Sequence, residues 1–195
     1  MERNFDQAYW SSRYESRTTG WDVGYITRPI KEYIDQLSDK KLKILIPGTG
    51  NGHEFIYLLE NEFYNVFALD ISSIPLDRIR SQIDQNLSEH LIHENFFNHD
   101  AKYDLIIEQT FFCALHPKMR KAYVKKVHDL LNENGKLVGL LFNFPLSKQG
   151  PPFGGSKEEY IDLFQPYFDI QLIEKAYNSI KPRSGNELFI KMTKK

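Results

Sequence analysis

Apolar residues fall into short runs separated by segments with helical spacing. The runs "LKILIP" (42–47), "NVFALD" (65–70), "YDLIIEQ" (103–109) and "KLVGLLFNF" (136–144) read as strands, with a weaker one near 90–94. The run at 136–144 is apolar on both faces, as a central parallel strand requires. Between the strands, "GHEFIYLLENEF" (52–63) carries apolar residues at helical spacing. Ser72 or Ser73 caps a helix predicted to reach about Leu87, with Pro75 tolerated in its first turn. A further helix is predicted over 118–131, ended by "NENG" with Gly135 as a left-handed stop. A last helix (157–166) precedes "FDIQLIE" (168–174) and "NELFIKM" (186–192), close enough to pair as a hairpin. Strands alternating with helices predict an α/β fold with a mainly parallel sheet and one antiparallel strand at or near an edge.

The join between the first strand and helix, "ILIPGTGNGHEF" (44–55), holds three glycines at alternate positions. Glycine costs conformational entropy, so this density marks a tight turn or a close approach to something. In an open parallel sheet, ligands settle at the carboxyl ends of the strands, where this turn lies. Eighteen residues beyond Gly52, Asp70 ends the second strand, placed to accept hydrogen bonds from a ribose diol. Dinucleotide sites use G-x-G-x-x-G; here the third glycine comes one residue early and His53 takes the expected place. The pattern therefore favours an adenosine ligand without pyrophosphate, with S-adenosylmethionine the leading choice. A nicotinamide-dependent oxidoreductase and a non-catalytic cofactor-binding protein stay open as alternatives.

Composition narrows the partners. The chain has 195 residues, suited to one domain, and balances 25 Lys plus Arg against 26 Asp plus Glu. No global field recruits nucleic acid or an anionic membrane, and no apolar run reaches bilayer-spanning length. The single cysteine, Cys113 in "TFFCAL", excludes an internal disulfide and reads as a packing residue. With no basic start followed by an apolar stretch, the cytoplasm is the expected location. The six histidines show no ligand spacing, so no metal is expected. "EQTF" after the fourth strand departs from the [DNS]-P-P-[FYW] motif of many amino-methylating nucleic-acid enzymes. A small-molecule acceptor and a monomer are expected.

Six segments sharpen this picture: "GWDVGYITRPI" (20–30), "LIPGTGNGHE" (45–54), "LDISSIPLDR" (69–78), "ENFF" (94–97), "YDLIIEQTFFCALHPKMRKAY" (103–123) and "GPPFGGSKEEY" (150–160). In this order, over about residues 8–190, they resemble the thiopurine S-methyltransferase-like family of class I methyltransferases, nearest its plant-type halide and thiol methyltransferase branch. The resemblance implies a Rossmann-like fold with a seven-stranded sheet and helices on both faces. It implies an N-terminal covering segment (1–40) on a core (41–195), S-adenosylmethionine as cofactor and S-adenosylhomocysteine as product. Carried onto this chain, Trp21 is the tryptophan that packs on the cofactor, and Trp10 and Tyr14 are further aromatic contacts. Tyr14 departs from the branch's tryptophan. Gly48 and Gly50 match the methionine-side loop, Asp70 the ribose acid with Ile71 beside it, and Asn95 and Phe96 the adenine border. Gln109 stands where the plant enzymes carry an aromatic residue.

For the chemistry, methyl transfer from a sulfonium to an anion needs alignment and dry walls more than a base. A halide needs none; a free thiol near pKa 8.5 is mostly protonated at neutral pH. Asp22 is the candidate for ordering a substrate-side water or receiving a thiol proton, with a turn role between Trp21 and Gly24 as the alternative. Arg183, in "KPRSGNE", stands where the resemblance implies a basic residue close to the substrate pocket, with a surface arginine as the alternative. "GPPFGG" (150–155) is either a substrate-side lid or a connection.

Overall fold

The computed structural model describes residues 5–147 and 149–195. In chain order the strands are β1 (Ile44–Pro47), β2 (Val66–Asp70), β3 (Leu91–His93), β4 (Tyr103–Gln109), β5 (Leu131–Phe142), β6 (Phe168–Lys175) and β7 (Glu187–Lys194). They form one sheet in the order β3-β2-β1-β4-β5-β7-β6. Strands β1 to β5 run parallel, while β7 is antiparallel to both neighbours. The reversed strand thus lies second from one edge. The order reverses between β1 and β4, which opens a crevice at their carboxyl ends.

Six α-helices accompany the sheet among the described residues: α1 (Gln7–Glu15), α2 (Arg28–Ile34), α3 (His53–Glu60), α4 (Ser73–Arg80), α5 (Arg120–Leu130) and α6 (Lys157–Phe164). Strand alternation divides the core into two layers. On one face, Leu45, Ile106, Leu137 and Leu141 pack with Tyr123, Val124 and Val127 of α5 and Tyr160 and Phe164 of α6. On the other, Ile44, Ile46, Leu105, Ile107, Val138 and Leu140 pack with Ile30 and Ile34 of α2, Phe55 and Leu58 of α3, and Leu76 and Ile79 of α4. Burial on both sides explains why the central runs carry no polar alternation.

One predicted helix ends early, and another gives way directly to a strand. The helix from Ser72 stops at Arg80 rather than near Leu87. Ser81 Oγ (2.7 Å) and Gln82 Nε2 (2.9 Å) donate to the Arg78 carbonyl, and such side-chain bonds end a helix by offering its last carbonyls other donors. A separate 3₁₀ turn, Gln85–His90, follows. The helix predicted over 118–131 runs from Arg120 to Leu130, and β5 begins at once. The left-handed residue of "NENG" is Asn134 (φ 61°), not Gly135. A Cβ at Gly135 would stand 2.8 Å from the Asn132 carbonyl oxygen, so this glycine answers a lack of space.

Candidate active site

A cavity of about 790 Å³ opens at the carboxyl ends of the central strands. Its base is the turn after β1. Gly48 (φ 61°) and Gly50 (φ 56°) adopt left-handed backbone there, which glycine alone enters without Cβ strain. The turn is fastened to β2, since Thr49 N donates to Leu69 O (3.1 Å) and Gly50 N to Asp70 Oδ2 (3.2 Å). The other oxygen, Asp70 Oδ1, accepts from Ser72 N at 2.9 Å. Each carboxylate oxygen so far takes one donor, which leaves lone pairs for a diol. Burial raises the Asp70 pKa to about 6, against the backbone donors that lower it. Ile71 follows on the cavity wall.

The next wall comes from the turn after β3. Asn95 Oδ1 accepts from Phe97 N (3.0 Å), and Asn98 N donates to Asn95 O (2.8 Å). This lays the Phe96 ring against Phe111, with centroids 5.2 Å apart. Asn95, Phe96 and Phe97 all line the cavity.

Beyond β4 the backbone is strained. Thr110, a β-branched residue on the wall, sits at φ 61°, a conformation that persists only where its surroundings impose it. The imposing group is Glu108. Its Oε1 accepts from Phe111 N and Phe112 N, both at 2.8 Å, and its Oε2 from the Tyr123 hydroxyl at 2.5 Å. Burial raises the Glu108 pKa to about 7. A raised carboxyl stabilises the fold most below its unfolded value of roughly 4.5, and that contribution is lost as pH rises through 7. Urea unfolding of Glu108→Gln between pH 5 and 8 should show a shallower decline with pH than the parent. An unchanged slope would assign the titration elsewhere.

The cover is built from α1 and the segment after it. Asp6 caps α1 by accepting from Tyr9 N (3.0 Å), and Ser11 Oγ meets Ser72 Oγ (2.9 Å) at the head of α4. Trp10 and Tyr14 meet Trp21 edge to face, at 5.4 and 5.7 Å. Two arginines tie this aromatic cluster down: Arg78 Nη2 donates to Tyr14 O (3.3 Å), and Arg183 Nη2 to Trp21 O (2.6 Å). Of the residues expected at the site, Trp10, Tyr14, Trp21, Gly48, Asp70, Ile71, Asn95, Phe96 and Arg183 share this one cavity.

Three expected residues stand off its wall. Gly50 acts from behind, through its N–H on Asp70. Gln109 accepts instead from the Thr27 hydroxyl (2.9 Å), because it closes β4 toward the start of α2, and the wall passes to Thr110 and Phe111. Asp22 also turns away from the cavity. Its Oδ1 accepts from Gly24 N (2.8 Å) and meets His53 Nε2 (2.8 Å), while Oδ2 accepts from Asn51 Nδ2. The His53 hydrogen bond, first among several, holds the Asp22 carboxyl well below the usual range, and Asp22 in turn raises the His53 pKa.

Asp22 is thus a weak base engaged with three groups, and its geometry is that of a latch between the Trp21 loop and the start of α3. Asp22→Ala should weaken S-adenosylhomocysteine binding by about tenfold, the low-end value of a single charge-assisted hydrogen bond. The maximal rate should change far less. A collapse of kcat with unaltered product affinity would restore the base.

Sequence reasoning missed Arg13, Thr110 and Phe111 on the wall. The place of Thr110 and Phe111 directly after a confident strand was the signal available for those two.

The model of the Thiopurine S-methyltransferase (TPMT) family matches the chain over residues 5–193. The chain belongs to this family. Among its relatives, thiocyanate methyltransferase 1 of Brassica oleracea is 29% identical over 193 residues, covering 96% of this chain and 85% of the relative. Probable thiol methyltransferase 2 of Arabidopsis thaliana is 29% identical over 184 residues, covering 91% and 81%. Thiopurine S-methyltransferase of Vibrio parahaemolyticus is 23% identical over 180 residues, covering 83% of each.

Solved structures share the fold. The Burkholderia thailandensis 1,6-didemethyltoxoflavin-N1-methyltransferase, with bound S-adenosylhomocysteine, superposes with a TM-score of 0.75 at 18% identity, covering 96% of this chain and 86% of that one. The Synechocystis magnesium protoporphyrin IX methyltransferase, with bound S-adenosylmethionine, gives 0.71 at 13% identity, covering 97% and 95%. The family member is an S-adenosylmethionine-dependent methyltransferase with the class I fold, and the nicotinamide alternative is not favoured.

Its cavity fits that cofactor. A buried carboxylate with free lone pairs stands beside a glycine turn, and Trp10, Tyr14 and Trp21 line the same cavity with rings of the kind that give a sulfonium cation–π attraction. Among the described residues no group of three or more His, Cys, Asp or Glu is placed to hold a metal ion. Nor is any helix among them long and apolar enough to cross a membrane.

Proposed function

We propose that this enzyme methylates the sulfur of a small-molecule thiol, taken as its thiolate, and that simple anions such as halides enter the same site. The observation that carries this reading is the charge of the wall. Asp70 is its only carboxylate among the described residues, and Arg13, Lys118 and Arg183 supply positive charge. Such a wall favours an acceptor that arrives ionised and needs no base. When bound, S-adenosylmethionine supplies an electrophilic methyl group, and S-adenosylhomocysteine remains after transfer.

The chain's own part is orientation and exclusion of water. Asp70 and the Gly48 turn hold the ribose and methionine ends, and Trp10, Tyr14 and Trp21 close the cover. Arg183, buried and fixed on the Trp21 carbonyl, joins the cover to the acceptor side. In this reading the segment up to residue 40 forms the cover and 41–195 the core of a monomeric cytoplasmic enzyme, with residues 1–4 and 148 of that division outside the described residues. Well-aligned displacement in a dry site recovers roughly 7–11 kcal/mol of barrier in favourable cases, enough without a general base.

The direct test incubates the protein with methyl-labelled cofactor and a panel of thiols, iodide and thiocyanate. Label in the thioether is the expected result; no labelled product across the panel would refute the assignment.

A further inference from the structure

Arg13 is a wall cation whose side chain makes no hydrogen bond or ion pair among the described residues. It lies on α1, one turn from Trp10, and its guanidinium stands over the Tyr9 ring at 5.8 Å. Its Nε is buried with no hydrogen-bond partner, and it forms no ion pair among the described residues. By contrast, Arg183 donates to Trp21 O and approaches Glu187 (3.5 Å). A buried guanidinium N–H without an acceptor is costly to hold, which marks a position built for an anion that arrives with a ligand.

The surroundings say which ligand. Ser11, on another face of α1, meets Ser72 behind the ribose acid, and Tyr14 stands over Gly50. Arg13 points the other way. The Tyr9 ring beneath it packs on Phe5 (5.1 Å), and Phe5 packs on Phe153 (5.9 Å) in the loop whose Pro151 and Pro152 line the far wall. These contacts put Arg13 on the side of the cavity away from Asp70. Beside its cations that side carries Pro151, Pro152 and His116, the last packed on Phe153 at 5.8 Å. At about 790 Å³ the cavity lies toward the upper end of the roughly 300–1,000 Å³ of small-molecule sites, with room for an organic acceptor beside the cofactor.

Resting on the thiol methylation read above, we propose that Arg13 determines acceptor specificity by binding a carboxylate carried by the acceptor in addition to its reacting sulfur. The physiological acceptor is then an acidic organic thiol. The planar guanidinium fork takes a carboxylate through paired N–H donors, which a monoatomic halide cannot use. The sulfur is methylated as the thiolate; the carboxylate stays ionised and unchanged throughout.

The test compares 3-mercaptobenzoate with its methyl ester, which keeps the thiol and the ring and removes the charge. The parent enzyme should favour the acid in kcat/KM by roughly tenfold to a hundredfold, the value of charge-assisted hydrogen bonds. Arg13→Met should abolish that preference mainly through KM, Arg13→Lys should restore part of it, and S-adenosylhomocysteine affinity by calorimetry should stay within about twofold. Equal losses on acid and ester would overturn the proposal. So would a fall in S-adenosylhomocysteine affinity with the acid-to-ester ratio unmoved, which would assign Arg13 to the cofactor's own carboxylate. If the parent turns over neither thiol, the methylation reading is decided by the wider panel above. Calorimetric binding of the acid to the S-adenosylhomocysteine complex of parent and Arg13→Met then decides the Arg13 site separately, with equal affinities counting against it.

Discussion

Replacing Asp70 by alanine should lower the affinity for S-adenosylhomocysteine at least a hundredfold while leaving the sheet intact. The carboxylate is the cavity wall's only anion among the described residues. A ribose diol donating two charge-assisted hydrogen bonds to it would contribute roughly 1.5–3 kcal/mol each. Some loss comes from the turn itself, because Gly50 N and Ser72 N lose their acceptor. Asp70→Asn separates the two effects. It keeps an oxygen for one backbone donor but cannot accept twice from a diol as an anion, so its affinity should fall between parent and alanine.

The titration gives a second handle on the same residue. Burial raises the Asp70 pKa to about 6, so the acid form accumulates below that pH and cofactor affinity should decline toward the acid side. The sign for folding alone is opposite. A raised carboxyl stabilises the ligand-free fold below its unfolded pKa of roughly 3.9, and this is lost as pH rises through 6. Calorimetric affinity should therefore fall from pH 7 to 5 in the parent and stay flat in Asp70→Asn. A flat parent profile would remove the diol from this carboxylate.

Much of this site was legible because it is local in sequence. A strand, a glycine turn and an acid ending the next strand come together at one end of the cavity, whatever the rest of the chain does. The aromatic cover was legible only by resemblance, since nothing in the spacing of Trp10, Tyr14 and Trp21 requires that they meet. The residues misplaced were those whose role depends on distant partners. Asp22 looked available until His53 and Asn51, about thirty positions away, occupied its oxygens. Gln109 faced the site by position, yet Thr27, 82 residues upstream, engages its carbonyl. Nothing in the sequence marks Arg13; only the packing of α1 shows its Nε buried and unpartnered. Helix ends failed for a related reason, because serine and glutamine side chains compete for carbonyls in ways that apolar periodicity does not register.

Gly48 sets the other large expectation, because two independent costs meet there. At φ 61° any Cβ strains the backbone by roughly 1–2 kcal/mol. The added atom would also stand 2.8 Å from Phe111 Cγ and 3.1 Å from Phe111 Cβ. Phe111 cannot retreat freely. Its N–H is held by Glu108, and its ring is packed on Phe96 and, at 6.0 Å, on Tyr123. Overpacking of this kind costs about 1–3 kcal/mol, so Gly48→Ala should lose roughly 2–5 kcal/mol in urea unfolding. It should also lose most cofactor affinity, since the ring moves along the cavity wall. Two controls apportion the loss. Gly24→Ala meets nothing within 4 Å but sits at φ 80°, so it reports backbone strain alone, whereas Gly20→Ala, with open space and no positive φ, should be near neutral. In the double variant Gly48→Ala, Phe111→Ala the steric part should vanish, giving a destabilisation smaller than the sum of the single changes. Strict additivity would show that the ring and the turn do not press on each other.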